Sequence, residues 1–291
     1  MELSKGRTTG FRLGQKTSER LSRGVSTLLI ALGGILILFP LAWMLSTSLK
    51  PGGNVFLLPI RWIPRRIVWS NYPEALKFMR WKTVFGNSLY VGAMTVLGTV
   101  FSSAITAYPF ARLQAPGKNA LFFLVISVMM LPGQVTLIPQ FLLFKELGWI
   151  DTLKPLFVPA FFGFPYHIFL LRQFFRTINK ELDDAAIIDG CGYFGIFWRI
   201  ILPLSKPALG VVAIQTFIAT WGNFLRPLIY LSSVEKWTVS IALAAFRQMY
   251  GSTPWHLLMA ASLVALLPTI TVFFVGQRFF IQGVVVTGVK G

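Results

Sequence analysis

The chain has 291 residues, of which 55% are hydrophobic and 13% charged, with 27 Lys+Arg against 10 Asp+Glu and a formal net charge of +17. A soluble domain carries roughly a quarter of charged residues, so half that supply excludes an ordinary water-soluble enzyme and points to a surface solvated by lipid. The basic excess has no polar scaffold of the kind that nucleic-acid-binding domains use, which makes anionic headgroups the counter-charge and leaves no nucleic-acid partner.

In chain order, a basic tail over 1–24 (Lys5, Arg7, Arg12, Lys16, Arg20, Arg23) leads into an apolar run too long for a signal-peptide core. It reads as a retained signal anchor. Apolar runs of about 17–27 residues, enough to cross roughly 30 Å of hydrocarbon, predict six transmembrane helices. They are 25–49, 84–110, 119–144, 155–175, 207–234 and 257–280. The fourth carries Pro155, Pro159 and Pro165 and is predicted to kink. Between the first two spans, 50–83 mixes seven Lys/Arg with Trp62, Trp69, Tyr72 and Trp81, the composition of an external loop lying at headgroup level. The expected fold class is an all-α, six-span integral membrane protein.

Lys/Arg counts in the flanks favour cytoplasmic N- and C-termini, with 15 basic residues inside and 11 outside. All ten acids fall outside the six spans, and apart from Arg172 and Arg278 near the ends of the fourth and sixth, the charged or histidine side chains within them are His167 and Arg226. Proton-coupled carriers relay through intramembrane carboxylates or histidines, so energy for uphill transport is expected from another subunit. This chain does not supply it, because Gly117-Lys118 is followed by Asn119 and lacks the upstream glycine of a phosphate loop. Cys191 stands alone, which excludes a disulfide framework and a cysteine-rich metal site; no metal ligand set is predicted.

Four acids crowd into the internal loop 176–206: Glu181, Asp183, Asp184 and Asp189. Asn179 can cap a helix whose first turn holds the acids, and Gly190 can stop it. Leu182, Ala185 and Ala186 share one face, and two alanines let a partner's backbone approach closely. This is a short docking helix. A second helical stretch, 193–202, is expected to end at Pro203.

The run Asp184-Ala185-Ala186, Asp189-Gly190 and Ile200-Ile201-Leu202-Pro203-Leu204 resembles the EAA loop of ABC importer permeases. The resemblance continues through Ser48-Leu49-Lys50, Asn87-Ser88-Leu89, Ala107-Tyr108-Pro109-Phe110-Ala111-Arg112-Leu113 and Phe169-Leu170-Leu171-Arg172-Gln173-Phe174-Phe175. Trp221-Gly222-Asn223-Phe224-Leu225 extends it, and the terminal Gly288-Val289-Lys290-Gly291 completes it, in a pattern similar to the carbohydrate-uptake branch. Asp184 stands where Glu is usual, Pro109 and Gly222 replace Ala and Asn, and Arg226 replaces Trp or Gly.

The resemblance implies a non-catalytic subunit in a bacterial cytoplasmic (inner) membrane. Its expected partners are a second homologous permease subunit (a heterodimer), two ATPase subunits, an external solute-binding protein, the carbohydrate and membrane lipid. No cofactor is bound by this chain; ATP and magnesium belong to the ATPase subunits. Glu181, Asp183, Asp184, Ala185, Ala186, Asp189 and Gly190 would couple to the ATPase. The tail 281–291, with Gly288, Val289, Lys290 and Gly291, would reach between its two copies. The rival class is a secondary carrier or channel working without an ATPase.

For the carbohydrate path, aromatic faces and amides suit sugars, which selects Gln134, Gln215, Trp221, Asn223 and Tyr230. The competing role for each is hydrogen-bonded packing between spans. Arg226 is expected in the outer half of the bilayer, snorkelling to the external interface, with a structural partner and contact to an acidic glycan as the other roles considered. His167 is expected to be a hydrogen-bonded core histidine.

Overall fold

The computed structural model describes residues 15–246 and 253–288. The start of the predicted basic tail and the Val289, Lys290 and Gly291 end of the predicted C-terminal tail lie outside them. The described residues are mostly helical and contain no strand. Four stretches are long and apolar enough to cross a membrane: Ser22–Ser48, Trp81–Arg112, Lys154–Thr177 and Trp255–Phe279. The pair Tyr193–Leu204 and Lys206–Trp221, bent by 75°, reaches that length and apolarity only when the two helices are taken together.

The first helix, α1 (Gln15–Ser48), is apolar all round and stands largely clear of the bundle, with Ile30, Leu36 and Ile37 each more than 70% exposed. A helix of that kind needs lipid or another chain around it. Its C-terminal end is pinned. Asn71 of α2 (Asn71–Phe78) donates to the carbonyls of Ser48 and Lys50 at 2.7 and 2.9 Å, and the Tyr72 and Ser48 hydroxyls lie 2.9 Å apart. Lys50 is 2% exposed, with Nζ 4.2 Å from the Trp43 ring centroid. Burial pushes its ammonium below the ordinary lysine value, and the ring face offsets part of that cost.

The central helix is α3 (Trp81–Arg112), which packs along α7 (Pro165–Thr177) and α11 (Lys206–Trp221). Pro109 is accommodated in its last turn, where Leu113 N–H donates to the Pro109 carbonyl at 3.1 Å. The final helix, α14 (Trp255–Gly288), runs against α11, α1 and α2. Two glycines let α11 and α14 touch. A Cβ on Gly276 would lie 2.2 Å from the Ile214 Cδ1, and one on Gly210 would lie 2.6 Å from the Phe279 ring. Small residues at such contacts are how helices pack in a medium with no hydrophobic drive between them.

Three predicted spans are broken. The run 119–144 divides into α4 (Lys118–Ser127) with a following 3₁₀ turn to Met130, and α5 (Leu137–Glu146). Pro132 and Gly133 occupy the gap, where Val135 N–H closes a turn on the Pro132 carbonyl at 3.0 Å. The run 155–175 begins with α6 (Lys154–Phe157) and a 3₁₀ segment, Val158–Phe162, and restarts as α7 after Gly163 at φ +90. The run 207–234 stops at Trp221 and resumes as α12 (Leu225–Tyr230). An apolar run has length, but only its turn-forming residues say whether it is one helix.

The internal loop also departs from expectation after its first helix. Between α9 (Tyr193–Ile196) and α10 (Leu202–Leu204) lies a π turn, Phe197–Ile201. It carries the helix past Pro203, and the chain bends at buried Ser205, whose N–H donates to the Ile201 carbonyl at 3.0 Å. The wider turn lets a proline sit in the helix without facing an intact hydrogen-bond ladder.

Candidate functional site

Two of the three breaks, at Gly163 and between Trp221 and Leu225, lie at a cavity of about 660 Å³, within the range of small-molecule sites. α3 contributes Ser88, Thr95 and Thr99; α5 contributes Gln140; the start of α7 contributes Tyr166 and His167. The end of α11 and the start of α12 add Gln215, Trp221, Asn223 and Arg226. Irregular backbone at membrane depth is tolerated where it lines such a cavity, which accounts for the grouping of helix ends here.

Of the six residues chosen from sequence for the path, Gln215, Trp221, Asn223 and Arg226 line this cavity. Two do not. Gln134 is exposed in the turn between α4 and α5, a full helical turn and more before Gln140. Tyr230 is 1% exposed and packs on Phe141 and Phe144 in a separate apolar cluster. Trp221 presents only part of its ring, because its Nε1 donates to the Ala265 carbonyl at 3.0 Å and Phe217 stacks on it. Asn223 Oδ1 accepts from Arg226 N–H at 3.2 Å, capping α12.

Arg226 is half-buried at the cavity wall. Among the described residues its guanidinium makes no ion pair and no hydrogen bond. His167 is 7% exposed between Phe164 and Tyr166, with Nδ1 lacking any partner, so it is not a hydrogen-bonded core histidine. Gln140 and Thr99 escaped sequence reasoning, since nothing local distinguishes them from other span residues, and Ser88 entered it only within Asn87-Ser88-Leu89.

A second site lies at the opposite end of α3. The docking helix forms as α8 (Glu181–Ile188), with three acids in its first turn. Asn179 Oδ1 accepts from Glu181 N–H at 3.2 Å, and Gly190 at φ +82 ends the helix, its N–H bonded to the Ile187 carbonyl at 2.9 Å. Leu182, Ala185 and Asp184 are exposed, and so are Ile187 and Ile188, the latter at 86%. The two isoleucines were not singled out from sequence. Their position in the register after the alanines was the available signal.

Asp183 does not face outward with its neighbours. It turns towards the body of the protein, where Oδ2 lies 3.5 Å from Arg112 Nε of α3. Arg112 Nη2 also donates to the Ile178 carbonyl at 2.8 Å. Burial raises the Asp183 carboxyl above the ordinary carboxylate value, with the Arg112 charge opposing that shift. Tyr108, Arg112, Lys180, Asp183, Asp184 and Tyr193 surround a smaller pocket of about 370 Å³ at this joint. No group of three or more His, Cys, Asp or Glu among the described residues is placed to hold a metal ion.

Residues 99–286, which include the joint and most of the cavity wall, match the family model of the binding-protein-dependent transport system inner membrane component. The chain belongs to that family. The permease is 36% identical over 271 residues to the arabinooligosaccharides transport system permease protein AraQ of Bacillus subtilis, covering 91% of this chain and 95% of AraQ. It is 29% identical to the trehalose/maltose transport system permease protein MalG of Thermococcus litoralis, covering 91% and 97% of the two chains. The sn-glycerol-3-phosphate transport system permease protein UgpE of Yersinia enterocolitica is 31% identical, with 88% and 94% covered. A crystal structure of a bacterial ABC transporter involved in the import of alginate superposes with a TM-score of 0.79. It covers 94% of the permease and all of that chain at 23% identity, a likeness of fold.

Proposed function

We propose that this permease forms half of the translocation path of an ATP-driven importer of carbohydrate. A second homologous permease subunit completes the path, two ATPase subunits drive it, and an external solute-binding protein delivers an oligosaccharide. The N- and C-termini face the cytoplasm of the bacterial inner membrane. Loop 176–206 docks on an ATPase subunit through Glu181, Asp184, Ala185, Ala186, Asp189 and Gly190, and residues 288–291 reach between the two copies. ATP and magnesium act on the ATPase subunits, and this chain does no chemistry of its own. Relatives named for arabinooligosaccharides and for trehalose and maltose support carbohydrate as the cargo class.

The observation that carries the coupling role is α8 itself. Leu182, Ala185 and Ile188 lie exposed on a helix that is tied by Asp183 to the end of α3, the helix that also lines the cavity. A partner that pulls α8 therefore pulls on a wall of the path, a rigid-body transmission. The six-span reading keeps 119–144 as the third span, interrupted at Pro132-Gly133 with α4 and α5 on either side. The exposed length of α1 provides area for lipid and the second permease subunit.

Co-purification tests this directly. Tagged protein extracted in detergent is expected to carry a second permease chain and an ATPase, and Ala185→Trp with Ile188→Asp is expected to lose the ATPase while keeping the permease partner. A chain that transports sugar alone in vesicles would overturn the reading in favour of a secondary carrier.

A further inference from the structure

We infer that the cavity is built for an anionic saccharide, with the Arg226 guanidinium as its counter-charge. The inference rests on the carbohydrate-import reading and deepens it by naming the charge of the cargo.

Arg226 is the one charged side chain among the lining residues, and no carboxylate joins it there. A guanidinium held in a wall with no acid among the described residues within ion-pair distance keeps its five donors available and carries a desolvation cost that an arriving anion would offset. Its geometry suits a carboxylate, which it can grip through two parallel N–H···O bonds. Asn223 caps the Arg226 backbone and so sets where the side chain leaves α12.

A second feature points the same way. The 13-residue α7 starts at Pro165 after the break at Gly163, and its first-turn residues Tyr166 and His167 line the same cavity. The first amides of a helix have no intrahelical acceptor, and its N-terminal end carries partial positive charge. Gln140, Gln215 and Asn223 complete the wall with amides and Thr95, Thr99 and Thr220 with hydroxyls, the groups that bond sugar hydroxyls. A neutral sugar would use those amides and hydroxyls equally well, and would leave the arginine and the helix end without a negative partner.

The test is direct binding to the purified complete transporter of a uronate disaccharide and of the neutral disaccharide of the same linkage. The uronate is expected to bind more tightly, and Arg226→Gln is expected to lower the uronate-to-neutral affinity ratio by about tenfold, the loss of one charge-assisted hydrogen bond. Arg226→Lys, which keeps the charge and loses the fork, is expected to retain part of that preference and serves as the control for assembly. An unchanged ratio in Arg226→Gln overturns the inference, and so does a neutral sugar that binds as tightly as the uronate to the unaltered transporter. Loss of partner subunits in both Arg226 variants would also overturn it, since the arginine would then be pairing within the assembly. Binding of neither sugar overturns the carbohydrate reading as well, whereas preference for the neutral sugar overturns the charge assignment alone.

Discussion

Arg112 and Asp183 join the end of the central helix α3 to the docking helix, 3.5 Å apart between Nε and Oδ2, with side chains only 2% and 14% exposed. Arg112 holds two structures at once, because its Nη2 also bonds the Ile178 carbonyl ahead of α8 at 2.8 Å. Arg112→Met is expected to lower stability by about 2 kcal/mol, between the values for exposed and for fully buried pairs, because it strands a carboxylate in a poorly hydrated joint. The double variant Arg112→Met, Asp183→Leu is expected to recover part of the loss. Melting temperatures of the four members of this cycle, measured in detergent, check it; simple additivity would show that the two residues do not interact.

The direction of the Asp183 shift gives a pH dependence of definite sign. Burial outweighs the attraction of Arg112 and raises the folded-state carboxyl above its ordinary value. The folded protein therefore binds the proton more tightly than the unfolded chain, and stability contributed by this group is lost as pH rises from the ordinary carboxylate value through the raised one. Asp183→Asn is expected to flatten that part of the stability profile while leaving α8 in place. A profile with the same slope in wild type and variant would contradict it.

On the far side of the molecule, Asp151 has the opposite behaviour. Its Oδ1 accepts from the Ser232 and Ser233 amides, both at 2.9 Å, while Oδ2 accepts from the Ser233 hydroxyl and pairs with Lys236 at 3.2 Å. These bonds hold the carboxyl well below the usual carboxylate range, led by the Ser233 hydroxyl. Its stabilisation is present above the ordinary carboxylate pKa and is lost as pH falls through the depressed one. Asp151→Ala is expected to cost about 1–3 kcal/mol, losing the acceptors and placing a β-carbon residue without a polar side chain at φ 58. Asp151→Asn, which tolerates that backbone, is expected to cost less. Hydrogen exchange at the Ser232 and Ser233 amides reads both variants.

The α11 and α14 contact gives a steric prediction. Gly276→Ala brings a Cβ to 2.2 Å from Ile214 Cδ1, so one helix has to shift or the isoleucine has to change rotamer. A cost of about 1–3 kcal/mol is expected, the range for overpacking. Ile214→Ala in the same chain, which removes both Cδ1 and the Cγ1 that would lie 2.7 Å from the new Cβ, is expected to relieve the clash, so that the double variant loses less than the sum of the two single variants. Thermal unfolding of the single and double variants, with subunit retention as a second readout, distinguishes rescue from independent damage.

Much of this protein was legible from sequence because the constraints are local. A bilayer demands long apolar runs, so the helices Ser22–Ser48, Trp81–Arg112 and Trp255–Phe279 fall within or across predicted spans. Asn179, the clustered acids and Gly190 specify α8 through its caps and first turn, with no help from the rest of the chain. Family membership follows from motifs that are ordered along the sequence.

Tertiary structure decided everything that depends on which way a side chain turns. Asp183 and Asp184 are neighbours of identical chemistry, yet one faces Arg112 and the other solvent, a choice set by a helix 71 positions upstream. Tyr230 and Arg226, four residues apart, part company at a cavity wall, the tyrosine into an apolar cluster and the arginine into the cavity. Hydrophobicity and capping act within a few residues and can be read in one dimension. Burial and charge pairing act between segments remote in sequence, and only the assembled helices bring those segments together.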